Sequence, residues 1–284
     1  MTTALLVLTL SVFMHVAWNL MTRRAEPDSR FLWWALSAYL VLVGPWSVAA
    51  LVMRADWSWS FAGLLGLTSF AEAVYFVALG SAYRHAPVPV VYPIARSSPV
   101  LIAIWSALLF GERLPLYGWL GIVLSVGGVL ALAWTARAGL TARAVPWALL
   151  AALATSVYST SNKSAVAAMP DYVVELGYVS IAILAAWFAL TFENWRTHGH
   201  WRPRQMPTRR TWVLGGLFIG NAYALTIHAM QFIPAAYAVA FTNAGIVLAG
   251  VIAMTVYGER EHWQQRLAAM LAICIGLSVM AGRG

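Results

Sequence analysis

Ten mostly apolar runs, each of about 20 residues, follow one another along the chain with only short connectors between them. They fall at 2–21, 31–53, 61–81, 88–110, 116–135, 146–168, 172–192, 211–231, 235–256 and 263–281. A helix needs about 20 apolar residues to cross a bilayer, so the pattern predicts an all-α polytopic membrane protein with ten transmembrane helices. Composition agrees: 61% of the 284 residues are hydrophobic and 10% charged, more apolar side chain than one soluble core could bury. The first run ends in Thr22-Arg23-Arg24 without a basic leader or a small-residue cleavage site, so it reads as a retained helix. Tryptophans at Trp33, Trp34, Trp57, Trp59, Trp119, Trp147, Trp195, Trp201, Trp212 and Trp263 cluster near run ends, where interfacial anchors belong.

The formal charge of +8 comes mostly from arginines between the runs. That is the expected signature of orientation and of attraction to anionic headgroups, so membrane lipids are implied and nucleic acid is not. The excess of positive charge favours both termini outside, with the connector from Glu193 to Arg210 in the cytoplasm. The single cysteine, Cys274, rules out a disulfide framework or a thiolate metal cluster and reads as a small core side chain.

An internal repeat organises the chain. Phe110-Gly111-Glu112-Arg113 recurs as Tyr257-Gly258-Glu259-Arg260, an offset of 147, and Pro87 recurs at the same offset as Pro234. A looser match sets His15-Val16-Ala17-Trp18-Asn19 against Tyr158-Ser159-Thr160-Ser161-Asn162. Two five-helix halves follow, 1–139 and 140–284. Five is odd, so the second half crosses the bilayer in the opposite sense, which makes an inverted repeat suited to alternating access. The Gly-Glu-Arg stretches read as helix ends, with glycine as the cap. Gly216 and Gly220 have the spacing of close helix packing.

An ionisable group at membrane depth costs about 3 kcal/mol or more, which singles out Glu72 and Arg96 in the third and fourth runs. They are expected to lie close together. One reading makes them a structural ion pair; the other has Arg96 hold an anionic group of a substrate while Glu72 takes a cation or a coupling proton. Pro87, Pro89, Pro93 and Pro99 bracket Arg96, so its helix should be kinked or broken, and freed carbonyls at that depth belong in protein or beside a wet cavity. Tyr92 lies four residues before Arg96 and shares its face. His15 and Asn19 have the same spacing, as do Tyr158 and Asn162. Trp18, Tyr75, Asn221, Tyr223, His228 and Asn243 add polar or aromatic groups, each of which alone could be an interhelical hydrogen bond. No Gly-x-x-x-x-Gly-Lys phosphate loop, His-Glu-x-x-His zinc pair or Gly-x-Ser-x-Gly nucleophile turn occurs, so this chain alone does not pump with ATP.

The two five-helix halves, each ending a segment in Gly-Glu-Arg, resemble the EamA-type transporters of the drug/metabolite transporter superfamily over essentially the whole chain. His15-Val16-Ala17-Trp18-Asn19 and Val91-Tyr92-Pro93-Ile94-Ala95-Arg96-Ser97 further resemble a bacterial subgroup, some of whose members are associated with phosphonate utilisation. The resemblance implies a central cavity between the halves, export of small metabolites, a multi-pass place in a bacterial inner membrane and both termini in the cytoplasm, against the charge count.

These readings converge on a secondary-active exporter or exchanger of a small polar or zwitterionic metabolite, such as an amino acid, an amine or an organophosphonate. The expected substrate-binding residues are His15, Trp18, Asn19, Glu72, Tyr75, Tyr92, Arg96, Tyr158, Asn162, Asn221, Tyr223 and Asn243. No catalytic residue, cofactor or metal is expected. The partners are the small-molecule substrate, membrane lipids and coupling protons, and the chain is expected as a monomer or weak dimer. The competing class is an intramembrane enzyme on a lipid-linked substrate, with His15 and Glu72 as acid and base.

Overall fold

The computed structural model describes residues 2–24, 30–135, 141–256, 258 and 261–282. Among them all regular structure is helical. The order is α1 (Thr2–Arg24), α2 (Phe31–Leu42), α3 (Gly44–Arg54), α4 (Trp59–His85), α5 (Val88–Ala95), α6 (Pro99–Phe110), α7 (Leu116–Thr135) and α8 (Ala144–Ala165). A 3₁₀ turn at Val166–Ala168 leads on to α9 (Tyr172–His198), α10 (Arg209–Ala229), α11 (Ala235–Phe241), α12 (Ala244–Thr255) and α13 (Trp263–Ala281).

Among the described residues eight spans are long and apolar enough to cross a bilayer, two of them being α5 with α6 and α11 with α12 taken together. A ninth forms if α2 and α3, bent by 59° at Val43, count as one. The ten runs therefore do not all qualify by composition. The exception is α8, at the sixth run, whose second half carries Thr155, Ser156, Tyr158, Ser159, Thr160, Ser161, Asn162, Lys163 and Ser164. Most of these are buried against other helices and not turned to lipid, which is how a polar helix survives among apolar ones. Leu6, Leu10, Phe13, Phe70, Leu108, Leu109, Phe188 and Leu271 form part of an exposed apolar surface, as a lipid solvent requires. The chain is an integral, multi-pass membrane protein.

The helix packing repeats itself under exchange of the halves. α1 packs on α10 as α8 packs on α4, and α2 packs on α10 as α9 packs on α4. α3 with α9, α6 with α11 and α7 with α13 each join a span of one half to the corresponding span of the other. Small residues set these distances. A Cβ on Gly128 would meet Ala269 O at 2.7 Å and Ile273 N at 2.9 Å, so α7 and α13 touch backbone to backbone. The Gly216–Gly220 pair does the same for α10 on α2, against Ala35, Ala38 and Tyr39.

One end of the molecule collects the connectors rich in base. Trp34 Nε1 donates to Gln205 O at 2.8 Å, Arg84 pairs with Glu193 at 2.6 Å, and Thr141 Oγ1 donates to His85 O at 2.8 Å. We call this the basic end. At the far end Arg54 pairs with Asp171, the N-cap of α9, at 3.0 Å.

Several local expectations change. Trp33 and Trp34 lie at the basic end but are buried in protein and do not face lipid: they stack edge to face at 4.8 Å, and Trp33 packs on Trp187 and Trp201. Cys274 is exposed, because Ile273 and Gly276 turn the other face of α13 to α7. Gly111 caps α6 with φ 65° and Gly258 follows α12 with φ 69°, the left-handed conformation that favours glycine. Tyr257, Glu259 and Arg260 of the second motif lie outside the described residues.

Gly216→Leu would drive a side chain into the α2 backbone, where even a Cβ meets Tyr39 N at 2.7 Å. Overpacking costs about 1–3 kcal/mol, so its unfolding temperature in detergent should fall by several degrees. Gly63→Ala, whose Cβ meets nothing within 4 Å, should match the wild type in the same melt.

Candidate functional site

Besides the bend between α2 and α3, each half contains one span interrupted near its middle, α5 with α6 and α11 with α12, and these two breaks meet. In the first half Pro93 lies inside α5 and Pro99 opens α6. Neither proline supplies a backbone donor, so the chain turns at Arg96, Ser97 and Ser98. In the second half α11 stops at Phe241 and α12 begins at Ala244 with no proline between them. Here short-range bonds tighten the turn: Thr242 N donates to Val239 O at 3.2 Å, Asn243 N to Ala240 O at 2.9 Å and Ile246 N to Asn243 O at 2.9 Å. Asn243 stands 147 residues after Arg96, the same offset as the Gly-Glu-Arg repeat.

Arg96 joins the two breaks. Its Nε donates to Tyr92 Oη at 2.8 Å and its Nη1 to Thr242 Oγ1 at 2.8 Å, while the guanidinium carbon lies 4.9 Å from the Tyr92 ring centroid. Thr242 passes its own proton to Val239 O at 2.6 Å. Two of the five guanidinium N–H groups are thus engaged with hydroxyl oxygens, and no carboxylate among the described residues pairs with the guanidinium. Beside this contact Asn243 is fully buried with both amide atoms unpartnered, and Ser98 Oγ, also fully buried, has no partner.

Glu72 does not pair with Arg96, although both are buried. Its Oε2 has no hydrogen bond, and its surroundings are aromatic. Tyr75 packs edge to face on Tyr158 at 5.9 Å and Tyr158 on Tyr223 at 5.4 Å. Asn162 Nδ2 donates to Tyr223 Oη at 2.8 Å, and Thr68 Oγ1 bonds Asn162 Oδ1 at 3.0 Å and Tyr178 Oη at 2.7 Å.

On α1, His15 Nδ1 lies 2.9 Å from Ser11 O, Asn19 Nδ2 donates to His15 O at 2.8 Å, and Trp18 stacks edge-on to Tyr92 at 6.5 Å. His15, Asn19 and Tyr92, with Val16, Leu132 and Ile246, line a cavity of ≈ 120 Å³ between the halves. Val88, Thr135 and Ala253 carry it toward the basic end. At the far end the matching space is filled: Met230, Ile233, Val239 and Phe241 pack with Ile102 and Ala103.

The EamA-like transporter family matches this chain twice, over residues 1–134 and 142–281. The chain belongs to that family. The EamA family is part of the drug/metabolite transporter superfamily. A solved crystal structure, described only as that of a protein, covers 98% of this chain and 97% of its own at TM-score 0.71 and 22% identity, and so shares the fold. No curated protein matches the sequence.

This EamA-family chain thus sorts the twelve expected residues into three groups. Tyr92, Arg96, Trp18, His15, Asn19 and Asn243 gather at or beside the crossing; Glu72, Tyr75, Tyr158, Asn162 and Tyr223 form the aromatic group. Asn221 stands apart: its Oδ1 accepts from Tyr172 Oη at 3.0 Å, toward the far end. Thr242, Ser98 and Thr68 were not singled out in the sequence. For Thr242 the signal was the repeat offset, which places it next to the counterpart of Arg96.

Thr242→Val removes the acceptor of a buried guanidinium N–H and should destabilise the purified protein by about 1–3 kcal/mol. Thr242→Ser, which keeps the oxygen, should recover most of that loss in the same thermal unfolding assay.

Proposed function

We propose that this protein is a secondary-active transporter that moves a small polar or zwitterionic metabolite by alternating access. The observation that carries the reading is the crossing of two broken spans, one from each family repeat, with a buried cation between them. Broken helices at membrane depth are favoured where backbone and side chains line a solute's path. A charge without a counter-ion there is suited to an anionic group such as a carboxylate or phosphonate.

In this reading the spans number ten. α8 is 22 residues long, about 33 Å at helical rise, enough to cross, and α2 with α3 form one bent span. The halves 1–139 and 140–284 are then inverted repeats. The exchange-symmetric packing supports this, since an odd number of crossings per half requires inversion. The unequal ends support alternating access: a cavity reaches Tyr92 from the basic end, and packed apolar side chains close the far end. Tyr92 and Trp18 serve as aromatic walls, and Asn19, Asn162 and Asn243 fix orientation. Glu72 takes a cationic group of the substrate. Export or exchange across a bacterial inner membrane, by a monomer or weak dimer and without a cofactor, completes the proposal.

Proteoliposomes loaded with unlabelled amino acids, amines or organophosphonates should show saturable counterflow of the labelled form of at least one of them. Arg96→Ala should reduce that counterflow at least tenfold while remaining monodisperse. Equal rates in Arg96→Ala and wild type would remove Arg96 from the site, and a wild type that carries no member of the panel would contradict the substrate class.

A further inference from the structure

A second buried carboxylate lies near the far end, outside both polar groups described above. Glu175, in the first turn of α9, is fully buried. His228 Nδ1, in the last turn of α10, lies 3.1 and 3.0 Å from its two oxygens, and Gln231 Nε2 donates to Oε1 at 2.7 Å. The His228 ring, one quarter exposed, is flanked edge-on by Tyr172 at 5.7 Å and by Phe232 at 5.6 Å. Burying a lone carboxylate is costly, and a charged imidazole beside it offsets much of that cost.

The other charged and titratable groups around the pair are occupied. Asp171, on α9, is bound by Arg54 of α3 at 3.0 Å. Tyr172 donates to Asn221 of α10, and Tyr39 of α2 donates to Leu176 O at 3.2 Å. Lys163 of α8 donates to Met230 O at 2.6 Å and Ile233 O at 3.1 Å. His228 is therefore the charge partner that faces Glu175 directly.

The same contacts hold a mechanical element. Gln231 and the two carbonyls that Lys163 caps belong to the turn between α10 and α11. That turn runs straight into α11, seven residues long and buried throughout. Its next residue is Thr242, the acceptor of Arg96. Seven helical residues span about 10 Å, so a shift of the turn is delivered to the crossing by one short rigid rod.

We propose that Glu175 and His228 bind the coupling proton of this carrier, locking the far end shut while it is bound, and that α11 passes their state to Thr242 and Arg96. The proton enters on the imidazole from water at the far end, and the Nδ1–H bond to Glu175 is kept. Its departure leaves a buried anion beside a neutral ring, which favours opening of the turn to water. The role as a coupling site rests on the transporter reading; the proton-dependent lock itself can be read with no substrate present.

Hydrogen exchange of the full-length protein in lipid nanodiscs, corrected for intrinsic pH dependence, tests the lock by comparing mildly acidic with alkaline buffer. In wild type the amides of 230–243 should exchange about tenfold faster at the alkaline limit, the size expected for weakening one charge-assisted bond. His228→Gln keeps an N–H donor for Glu175 but cannot be charged, and Glu175→Gln removes the anion; each should lose the pH step. A wild type without the step, or a step that survives in His228→Gln, overturns the proposal. Should Glu175→Gln fail to fold, wild type and His228→Gln decide it. Neither result bears on whether the protein shows counterflow, so this proposal and the transporter reading fail separately.

Discussion

The contact between Arg96 and Thr242 is the point on which the rest of the molecule depends. A guanidinium inside a bilayer is tolerated only when its donors are met by protein or water. Here one donor goes to Tyr92 in its own half and another to Thr242 in the other half. Neither acceptor carries a formal negative charge in its neutral hydroxyl form, so the cation is held in place without being neutralised. A structural ion pair with Glu72 would have done the opposite, and the two groups do not form one.

From that contact the asymmetry of the two ends acquires a meaning. Packing that is unchanged when the halves are exchanged allows two equivalent closures, one at each end. The structure shows a cavity at the basic end and a packed cluster at the far end. The transporter proposed here would alternate between this arrangement and its exchanged counterpart. The small residues of α7 on α13 and of α10 on α2 bring those helices close enough that a shift in one is felt by its partner. The Glu175–His228 pair sits where such a shift would have to begin, since the turn it holds leads directly into α11.

Much of this was legible in the residues. The apolar runs located the helices, Gly-Glu-Arg revealed the repeat, and the prolines around Arg96 marked the first break. The second break carried no proline, and only the offset from Arg96 to Asn243 pointed to it. α8 was legible as a helix but not by hydropathy alone, because its polar face is turned into the protein. Trp33 and Trp34 looked like interfacial anchors because sequence position does not say that Trp187 and Trp201 stack against them. Cys274 was misplaced because periodicity in an all-apolar helix does not tell the lipid face from the packed one. Glu175 was missed although the argument applied to Glu72 covers it too: an acid inside an apolar run, four residues after a capping aspartate. Asn221 illustrates the limit of spacing arguments, for its helix is central while its side chain bonds toward the far end.

The most direct test of the alternating crossing is thiol labelling with a membrane-impermeant maleimide in a Cys274→Ala background. Ala249→Cys, on the cavity wall, should react from the basic side only, and Val239→Cys, in the packed cluster, slowly and from the far side only. A bulky adduct at position 249 should wedge the basic end open and slow the reaction at 239 further. Reaction of both positions from the same side, or simultaneous free reaction from both sides as in an open pore, would contradict the account.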